Sequence, residues 1–273
     1  MAKAPFRPRE RPAPRDDAPR DAIEGRNPVL EALRAGRPIS KVLVAQDAQR
    51  HSAVGEVLYL ARQRGVPVER VDRRVIERLS ATEHSQGVLA MVAAKGYVSL
   101  DDLLRHSRQR GEPPLYVLLD GVEDPHNLGA VLRTADAAGV HGVVIPARRA
   151  VGLTAAVARA SVGAVEYVPV ARVPNLSQAM QKLGEAQVWT VGLDPQAGQD
   201  YTQADYRRPT ALVLGGEGQG LSRLVKERCD VLVSLPMRGK VASLNVSVAG
   251  ALVMYEARRQ RDHAARPEET KSR

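Results

Sequence analysis

Apolar residues recur along the chain at two kinds of spacing, one typical of strands and one typical of helices. The β-branched run Ile39–Val44 predicts a strand, and residues 52–64 carry apolar side chains at helical spacing before Gly65. Further strands are predicted at Val66–Val71 and Gly87–Val92, with a short helix between them at Arg73–Leu79. Alternation of this kind over about 70 residues predicts a small α/β/α domain.

A second globular region opens with Leu115–Leu119, an apolar run typical of a parallel strand that is covered on both faces. Strands and helices alternate after it, and Trp189 is predicted to lie in the core of one strand. The final helix is predicted from about Leu244 to Arg261. Its apolar residues Val248, Leu252 and Tyr255 predict the face that packs on the domain.

The pattern divides the chain into five parts. Residues 21–94 form the first domain and 115–262 the second, with residues 95–114 as a linker. Residues 1–20 are rich in Pro and Arg and predict a flexible basic arm, and 263–273 predict a flexible tail. The arm is interpreted either as a terminus without a role or as a tail that binds phosphate; both readings stay open.

Charge points to a polyanionic partner. Lys and Arg number 40 against 31 Asp and Glu, a formal net charge of +9, which favours nucleic acid. Aromatic residues are only 3%, which argues against recognition by many stacked bases. One cysteine and six histidines without ligand spacing predict no metal site. No apolar run reaches the about 18 residues that span a bilayer, so a cytoplasmic protein without a membrane partner is expected.

Candidate chemistry lies in three segments, each at the end of an apolar strand, where ligands bind in open α/β sheets. In Leu119–Val140, Asn127 and Arg133 are six residues apart and are interpreted as lying on roughly neighbouring faces near a helix start. Helix N–H groups and an arginine there would suit an RNA phosphate. The alternative is a capping Asn and a surface Arg, which the pair alone does not exclude.

The second segment, Leu212–Leu221, contains four glycines, which let the backbone turn sharply and approach a ligand. It is neither a P-loop nor a dinucleotide fingerprint, because no Gly-Lys-Ser/Thr follows and Leu221 takes the last glycine position. Glu217 would repel a phosphate in the loop, but it would accept a hydrogen bond or tolerate a cation. The alternative is an ordinary glycine-rich turn.

In the third segment, Val231–Leu252, Ser243 and Asn245 are predicted to open the last helix, and capping is one explanation for both. Arg238 and Lys240 add positive charge close by.

Taken together, the three segments resemble the SpoU (TrmH) family of RNA 2′-O-ribose methyltransferases in the SPOUT superfamily. The residues that carry the resemblance are Asn127-x-Gly129 with Arg133-Thr134-Ala135, Gly215-x-Glu217-Gly218-x-Gly220-Leu221, and Ser243-Leu244-Asn245-Val246-Ser247. The earlier segments IEGRNPVLEAL and HSQGVLAMV look like the family's extra RNA-binding domain, which is similar to ribosomal protein L30e. That layout resembles the branch that methylates a guanosine of 23S rRNA.

The resemblance implies a fold, a cofactor and a set of site residues. The fold would be an α/β chain with an L30e-like α/β/α domain and a SPOUT domain holding a deep trefoil knot, in an obligate homodimer. S-adenosylmethionine would be the cofactor. The implied catalytic residues are Asn127, Arg133, Glu217, Ser243 and Asn245. The implied cofactor-binding residues are Gly215, Gly216, Gly218, Leu235, Met237, Ser243 and Leu244. The residues expected to bind RNA are Arg26, Lys41, His84, Arg133, Arg238 and Lys240. Position 216 is Gly where Ser or Ala is frequent in the family, and little functional loss is expected from that.

The chemistry of the reaction limits the role of each group. A ribose 2′-hydroxyl is a poor nucleophile until its proton leaves, and a guanidinium is nearly always protonated. We therefore expect Arg133 to stabilise the developing alkoxide and to position phosphate, while Glu217 and Asn127 orient it or relay the proton. A tRNA methyltransferase and a catalytically silent rRNA-binding protein are the alternatives.

Overall fold

The first sheet has four strands in the order β1-β4-β2-β3. The computed structural model describes residues 22–50, 52–80, 85–93 and 95–265. The elements of this domain are β1 (Ala22–Glu24), α1 (Arg26–Arg34), β2 (Ile39–Ala45), α2 (Ser52–Gln63), β3 (Val68–Val71), α3 (Arg73–Leu79) and β4 (Val88–Val92). Strand β4 runs antiparallel to β1 and β2, and β3 runs parallel to β2. The predicted α/β class is confirmed, although the three-residue β1 was not predicted.

The residues predicted as a linker contain a helix, α4 (Leu100–Arg108). Ser99 caps it by accepting a hydrogen bond from Asp102 N at 3.0 Å. Leu100 and Leu103 are buried against the second sheet, and Val98 pairs with a strand of that sheet at Ala171. The segment therefore contributes to the core of the second domain.

The second sheet has seven parallel strands in the order β7-β6-β5-β10-β8-β11-β9. Its elements are β5 (Leu115–Asp120), α5 (Pro125–Ala137), β6 (Gly142–Pro146), α6 (Ala155–Ala160), β7 (Val170–Val173), α7 (Leu176–Glu185), β8 (Trp189–Leu193), β9 (Gln199–Asp200), β10 (Thr210–Gly215), α8 (Arg223–Glu227), β11 (Val231–Ser234) and α9 (Val246–Ala265). Apolar clusters cover both faces of the sheet. In the register of β5 and β10, Asp120 lies opposite Gly215, so the loops after these strands meet at one edge.

Two predictions about apolar residues in this domain were wrong. Val248, Leu252 and Tyr255 are 48%, 43% and 53% exposed, because α9 packs on α5 and β10 with Val246, Val253, Met254 and Ala257 instead. Trp189 is 40% exposed at the start of β8, where the Arg208 guanidinium lies 4.2 Å from the centre of its ring.

Buried charges join the two domains. The Glu166 carboxylate is almost fully buried and pairs with Arg37 at 2.6 Å and with Lys95 at 3.3 Å. The Tyr167 hydroxyl donates a hydrogen bond to Glu31 of α1 at 2.5 Å, and burial together with that carboxylate raises the pKa of Tyr167 to about 12. Separating the domains would leave Glu166 without its partners, so these contacts favour one fixed arrangement.

No helix in the described ranges combines the length and apolar character that a bilayer span requires.

Candidate functional site

The loop that follows β10, residues 215–221, is called the glycine loop below. Its first two glycines are required by packing, since a Cβ on Gly215 would lie 2.1 Å from the Gly220 carbonyl carbon, and one on Gly216 would lie 2.1 Å from the Gly121 oxygen. Gly218 and Gly220 have φ values of 80° and 63°, which favour glycine. Glycine at position 216 therefore fits this backbone closely.

Asn127, Glu217 and Asn245 meet at the carboxyl edge of the sheet. Glu217 Oε1 accepts hydrogen bonds from Asn127 Nδ2 at 3.0 Å and from Asn245 Nδ2 at 2.7 Å. Asn245 Nδ2 also donates to Asn127 Oδ1 at 2.9 Å. Three residues up to 118 positions apart thus form one network, called the amide–carboxylate triad below. The other carboxylate oxygen, Glu217 Oε2, has no hydrogen-bond partner among the described residues.

Local structure explains why these side chains point at one another. Asp124 caps α5 by accepting from His126 N at 2.9 Å, so Asn127 lies inside the first turn and is free to turn toward the glycine loop. Asn245 precedes α9 and accepts from Ser247 N at 2.9 Å, which caps the helix. The prediction that Ser243 opens this helix is wrong, because α9 begins at Val246.

Arg133 lies apart from the triad. Six residues at 100° per residue place Asn127 and Arg133 about 120° apart around α5, on different faces of the helix. The Arg133 side chain is exposed and makes no hydrogen bond or ion pair with any residue that the structure describes. It also lines neither of the two cavities described next.

A cavity of about 690 Å³ lies on one side of the glycine loop and is called the cofactor cavity below. The structure brings all seven predicted cofactor residues to its wall: Gly215, Gly216, Gly218, Leu235, Met237, Ser243 and Leu244. Its volume lies within the roughly 300–1,000 Å³ of ligand pockets. Apolar Leu214 and Val233 suit the faces of a purine, and the carboxylates of Glu217 and Asp194 suit a sulfonium or ammonium charge. The residues present therefore fit S-adenosylmethionine.

The sequence did not single out Asp194 and Lys226, which line the same cavity. Their side chains form an ion pair at 2.5 Å. Burial opposes ionisation of Asp194, but hydrogen bonds from Lys226 and from Gln196 N outweigh it and lower the pKa of Asp194. Asp194 directly follows β8, and a polar residue at the carboxyl end of a buried strand is the signal that would have found it.

The predicted RNA-binding residues are scattered over both domains. Arg26 donates to the Gln86 carbonyl at 3.3 Å, and Lys41 pairs with Glu69 at 3.1 Å, both near the protein surface. Arg238 and Lys240 are exposed between β11 and α9. His84 lies outside the described residues, as do the predicted arm and residues 266–273. Helix α9 continues past residue 262 to Ala265.

Within the ranges that the structure describes, no group of three or more His, Cys, Asp or Glu side chains is arranged to hold a metal ion.

The fold and the site define a class of two-domain α/β proteins, in which a parallel sheet carries a glycine-lined ligand cavity and a smaller sheet domain is joined to it. Family profiles match both parts. Residues 114–255 match the profile described as the SpoU rRNA Methylase family, and residues 22–98 match RNA 2′-O ribose methyltransferase substrate binding.

Individual relatives agree with the profiles. The chain is 47% identical over 242 residues to YacO of Bacillus subtilis strain 168, named as a TrmH family tRNA/rRNA methyltransferase, covering 89% of this chain and 96% of that protein. An AdoMet-bound rRNA methyltransferase from Sinorhizobium meliloti superposes with a TM-score of 0.72 at 29% identity, covering 87% and 86%. A TrmH/SpoU tRNA modifying enzyme of A. aeolicus superposes with a TM-score of 0.52 at 30% identity, covering 63% and 90%.

The chain belongs to the SpoU/TrmH family of RNA 2′-O-ribose methyltransferases. The predicted family and the α/β class are thereby confirmed, and so is S-adenosylmethionine as the cofactor of the family.

Proposed function

We propose that this protein methylates the ribose 2′-hydroxyl of a guanosine in 23S rRNA, with S-adenosylmethionine as the methyl donor. The observation that carries the proposal is the amide–carboxylate triad, of which Glu217 and Asn245 line the cofactor cavity. It supports an enzyme over a silent RNA-binding protein, because it holds a carboxylate beside the cofactor cavity, where proton transfer from a hydroxyl would need one.

The donor supplies an electrophilic methyl group on a positively charged sulfur. The protein's part is to orient the ribose hydroxyl and to take its proton. Asn127 and Asn245 both hold Glu217 Oε1, which fixes the direction of Glu217 Oε2. We assign Glu217 Oε2 as the atom that receives the proton. Ser243, which lines the cofactor cavity, stays a predicted contact to donor or acceptor.

Arg133 stays the predicted source of positive charge for the alkoxide and for an RNA phosphate. Its exposed, unpaired guanidinium in the described structure is compatible with binding an incoming phosphate. If its planar fork is needed, Arg133→Lys lowers kcat about 100-fold in a labelled methyl-transfer assay, although both residues are positively charged. Arg148→Lys, a change at an arginine outside both cavities, is the control. Near-full turnover by Arg133→Lys would refute the need for the guanidinium fork.

Ribosomal rather than transfer RNA is favoured by the extent of the domain match. The N-terminal sheet domain matches the substrate-binding profile over residues 22–98. The S. meliloti rRNA methyltransferase aligns with 87% of the chain, whereas the A. aeolicus tRNA modifying enzyme aligns with only 63%. A guanosine target and 23S rRNA follow from the resemblance of the first domain. Arg26, Lys41, Arg238 and Lys240 are the proposed RNA contacts in the described structure.

We also propose a homodimer. Val248, Leu252 and Tyr255 occupy one exposed stripe of α9, spaced four and three residues apart, and exposed Leu244 lies just before the helix. A second copy would cover these side chains. The trefoil knot, the domain boundaries and a cytoplasmic location remain predictions.

The deciding experiment maps 2′-O-methyl groups in the rRNA and tRNA of cells with and without this protein. We expect one guanosine of 23S rRNA to lose its methyl group when the protein is absent. Loss at a tRNA position instead would support the tRNA alternative. If no methyl group is lost and calorimetric titration with S-adenosylmethionine shows no heat, the silent RNA-binding alternative replaces the enzyme.

A further inference from the structure

A second cavity, of about 590 Å³, also borders the glycine loop. The two cavities share a wall whose residues are Gly216, Glu217, Gln219, Gly220, Leu221 and Val246. Asn127 lines only the second cavity, so the triad is open to it as well. Methyl transfer needs donor and acceptor close together, and Glu217 lines both cavities, so ligands in the two would meet beside the triad.

Three carboxylates that line the second cavity already accept hydrogen bonds from the protein. Asp120 Oδ2 accepts a hydrogen bond from Ser222 N at 2.7 Å, and Asp124 Oδ1 accepts from His126 N at 2.9 Å. Glu217 is held by the two amides of the triad. These carboxylates accept hydrogen bonds from the protein's own backbone and side chains, and their negative charge would repel a phosphate placed deep in the cavity. A phosphate is therefore expected at the mouth, with the uncharged ribose and base inside.

Two arginines line this cavity. Arg223 pairs with Glu227 at 3.6 Å, whereas Arg149 contacts the glycine loop. Arg149 Nη2 donates a hydrogen bond to Gln219 Oε1 of the glycine loop at 3.0 Å. The backbone of Arg149 has a φ of 56°, in the left-handed region that a non-glycine residue seldom adopts. The remaining guanidinium donors have no partner among the residues that the structure describes. One side chain thus touches the loop that carries Glu217 and keeps donors for a phosphate.

We propose that the second cavity receives the nucleotide to be methylated, and that Arg149 binds its phosphate while holding the glycine loop through Gln219. This inference rests on the proposed function and adds the position of the acceptor. Arg149 is a substrate-binding and positioning residue. When a phosphate engages its free donors, the Arg149–Gln219 contact fixes the loop, so the carboxylate of Glu217 is held in place when the ribose is present.

Three variants of the full-length protein separate the two roles of Arg149. Arg149→Gln removes the charge, Gln219→Ala removes the contact to the loop and keeps the charge, and Arg148→Gln is the matched control. Arg148 is the exposed neighbour and lines neither cavity. Each is assayed for methyl transfer to a 23S rRNA transcript, for RNA affinity at several salt concentrations, and for S-adenosylmethionine affinity by calorimetry.

For Arg149→Gln we expect the RNA KM to rise about tenfold, the size of one lost charged hydrogen bond. The slope of log affinity against log salt should fall by about 0.7, since one phosphate contact is lost. For Gln219→Ala we expect kcat to fall about tenfold with that slope unchanged. Arg148→Gln should match the wild type, and Arg149→Gln should bind S-adenosylmethionine as the wild type does, since neither arginine lines the cofactor cavity.

The inference is overturned if Arg149→Gln leaves KM and the salt slope unchanged, or if Arg148→Gln lowers the slope equally. Either result, with an active wild type, leaves the proposed function intact. If the wild-type protein itself transfers no methyl group to RNA, the proposed function fails and this inference fails with it.

Discussion

At the carboxyl edge of the seven-stranded sheet, the side chains of Asn127, Glu217 and Asn245 bond mainly to one another, whereas at the amino edge those of Arg261 and His141 bond to the main chain. Arg261 donates there to the carbonyl oxygens of Pro113, Pro114, Tyr206 and Arg208. Burial lowers the pKa of Arg261 to about 10. His141 Nδ1 accepts from Leu115 N at 3.1 Å.

The difference teaches how one sheet serves two purposes. At the amino edge, Arg261 and His141 form hydrogen bonds with backbone carbonyl and N–H groups. These groups are therefore not available to a ligand. At the carboxyl edge, glycines let the loop backbones pack closely, and the polar side chains line cavities. Changes at the carboxyl edge should therefore reduce activity at constant stability, and changes at the amino edge should do the reverse.

The largest effect is expected at the carboxyl edge, for Glu217→Gln. The amide keeps the size of the side chain but cannot take up a proton as the carboxylate does, so kcat should fall about 1,000-fold. The free energy of unfolding should change by no more than about 0.5 kcal/mol. Labelled methyl transfer and urea unfolding measure the two quantities. Glu227→Gln, at an exposed carboxylate of α8, is the control, and full turnover by Glu217→Gln would remove Glu217 from the proton transfer.

At the amino edge, Arg261→Met should lower the free energy of unfolding by about 3 kcal/mol, because four carbonyl oxygens lose a charged donor. The kcat of the folded protein should not change. Urea unfolding tests this, with Arg258→Met as the control. Arg258 pairs only with partly exposed carboxylates, so its loss should cost less than about 1 kcal/mol. Equal losses for both variants would contradict the special role given to Arg261.

A smaller effect at the amino edge depends on pH. Burial, reinforced by Arg110, lowers the pKa of His141 from 6.5 to about 4. The unfolded chain therefore binds more protons than the folded one between these values, so stability falls as the pH drops below 6.5. Protonation of His141 should lower the free energy of unfolding by about 2 kcal/mol between pH 7 and pH 5. His141→Gln should reduce that dependence and His126→Gln should not, as urea unfolding at each pH would show.

The sequence predicted the members of the site better than their arrangement. Asn127, Glu217 and Asn245 each follow an apolar strand, and the carboxyl ends of parallel strands share an edge, so their proximity was predictable. The hydrogen bonds among them depend on the caps of α5 and α9, which place Asn127 after Asp124 and Asn245 before Val246. The exact residue at which each helix begins decides where these side chains point, and sequence spacing alone does not fix that residue.

Errors about burial had a different cause. An apolar stripe shows that some surface covers a helix, but α9 has two such stripes, and only the neighbours α5 and β10 decide which one is inside. Trp189 begins its strand at the amino edge, where a large ring extends past the sheet and stacks with Arg208. The three-residue β1 and two-residue β9 are too short for any periodic signal.

The strand order has a consequence for folding while the protein is synthesised on the ribosome. Strand β5, buried on both faces, pairs with β6 on one side and with β10 on the other, and β10 is made about 90 residues later. At about 5–20 residues per second, β5 waits about 5–18 s with an apolar edge uncovered. Yield during synthesis and refolding is therefore limited by how well that edge is shielded from other nascent chains.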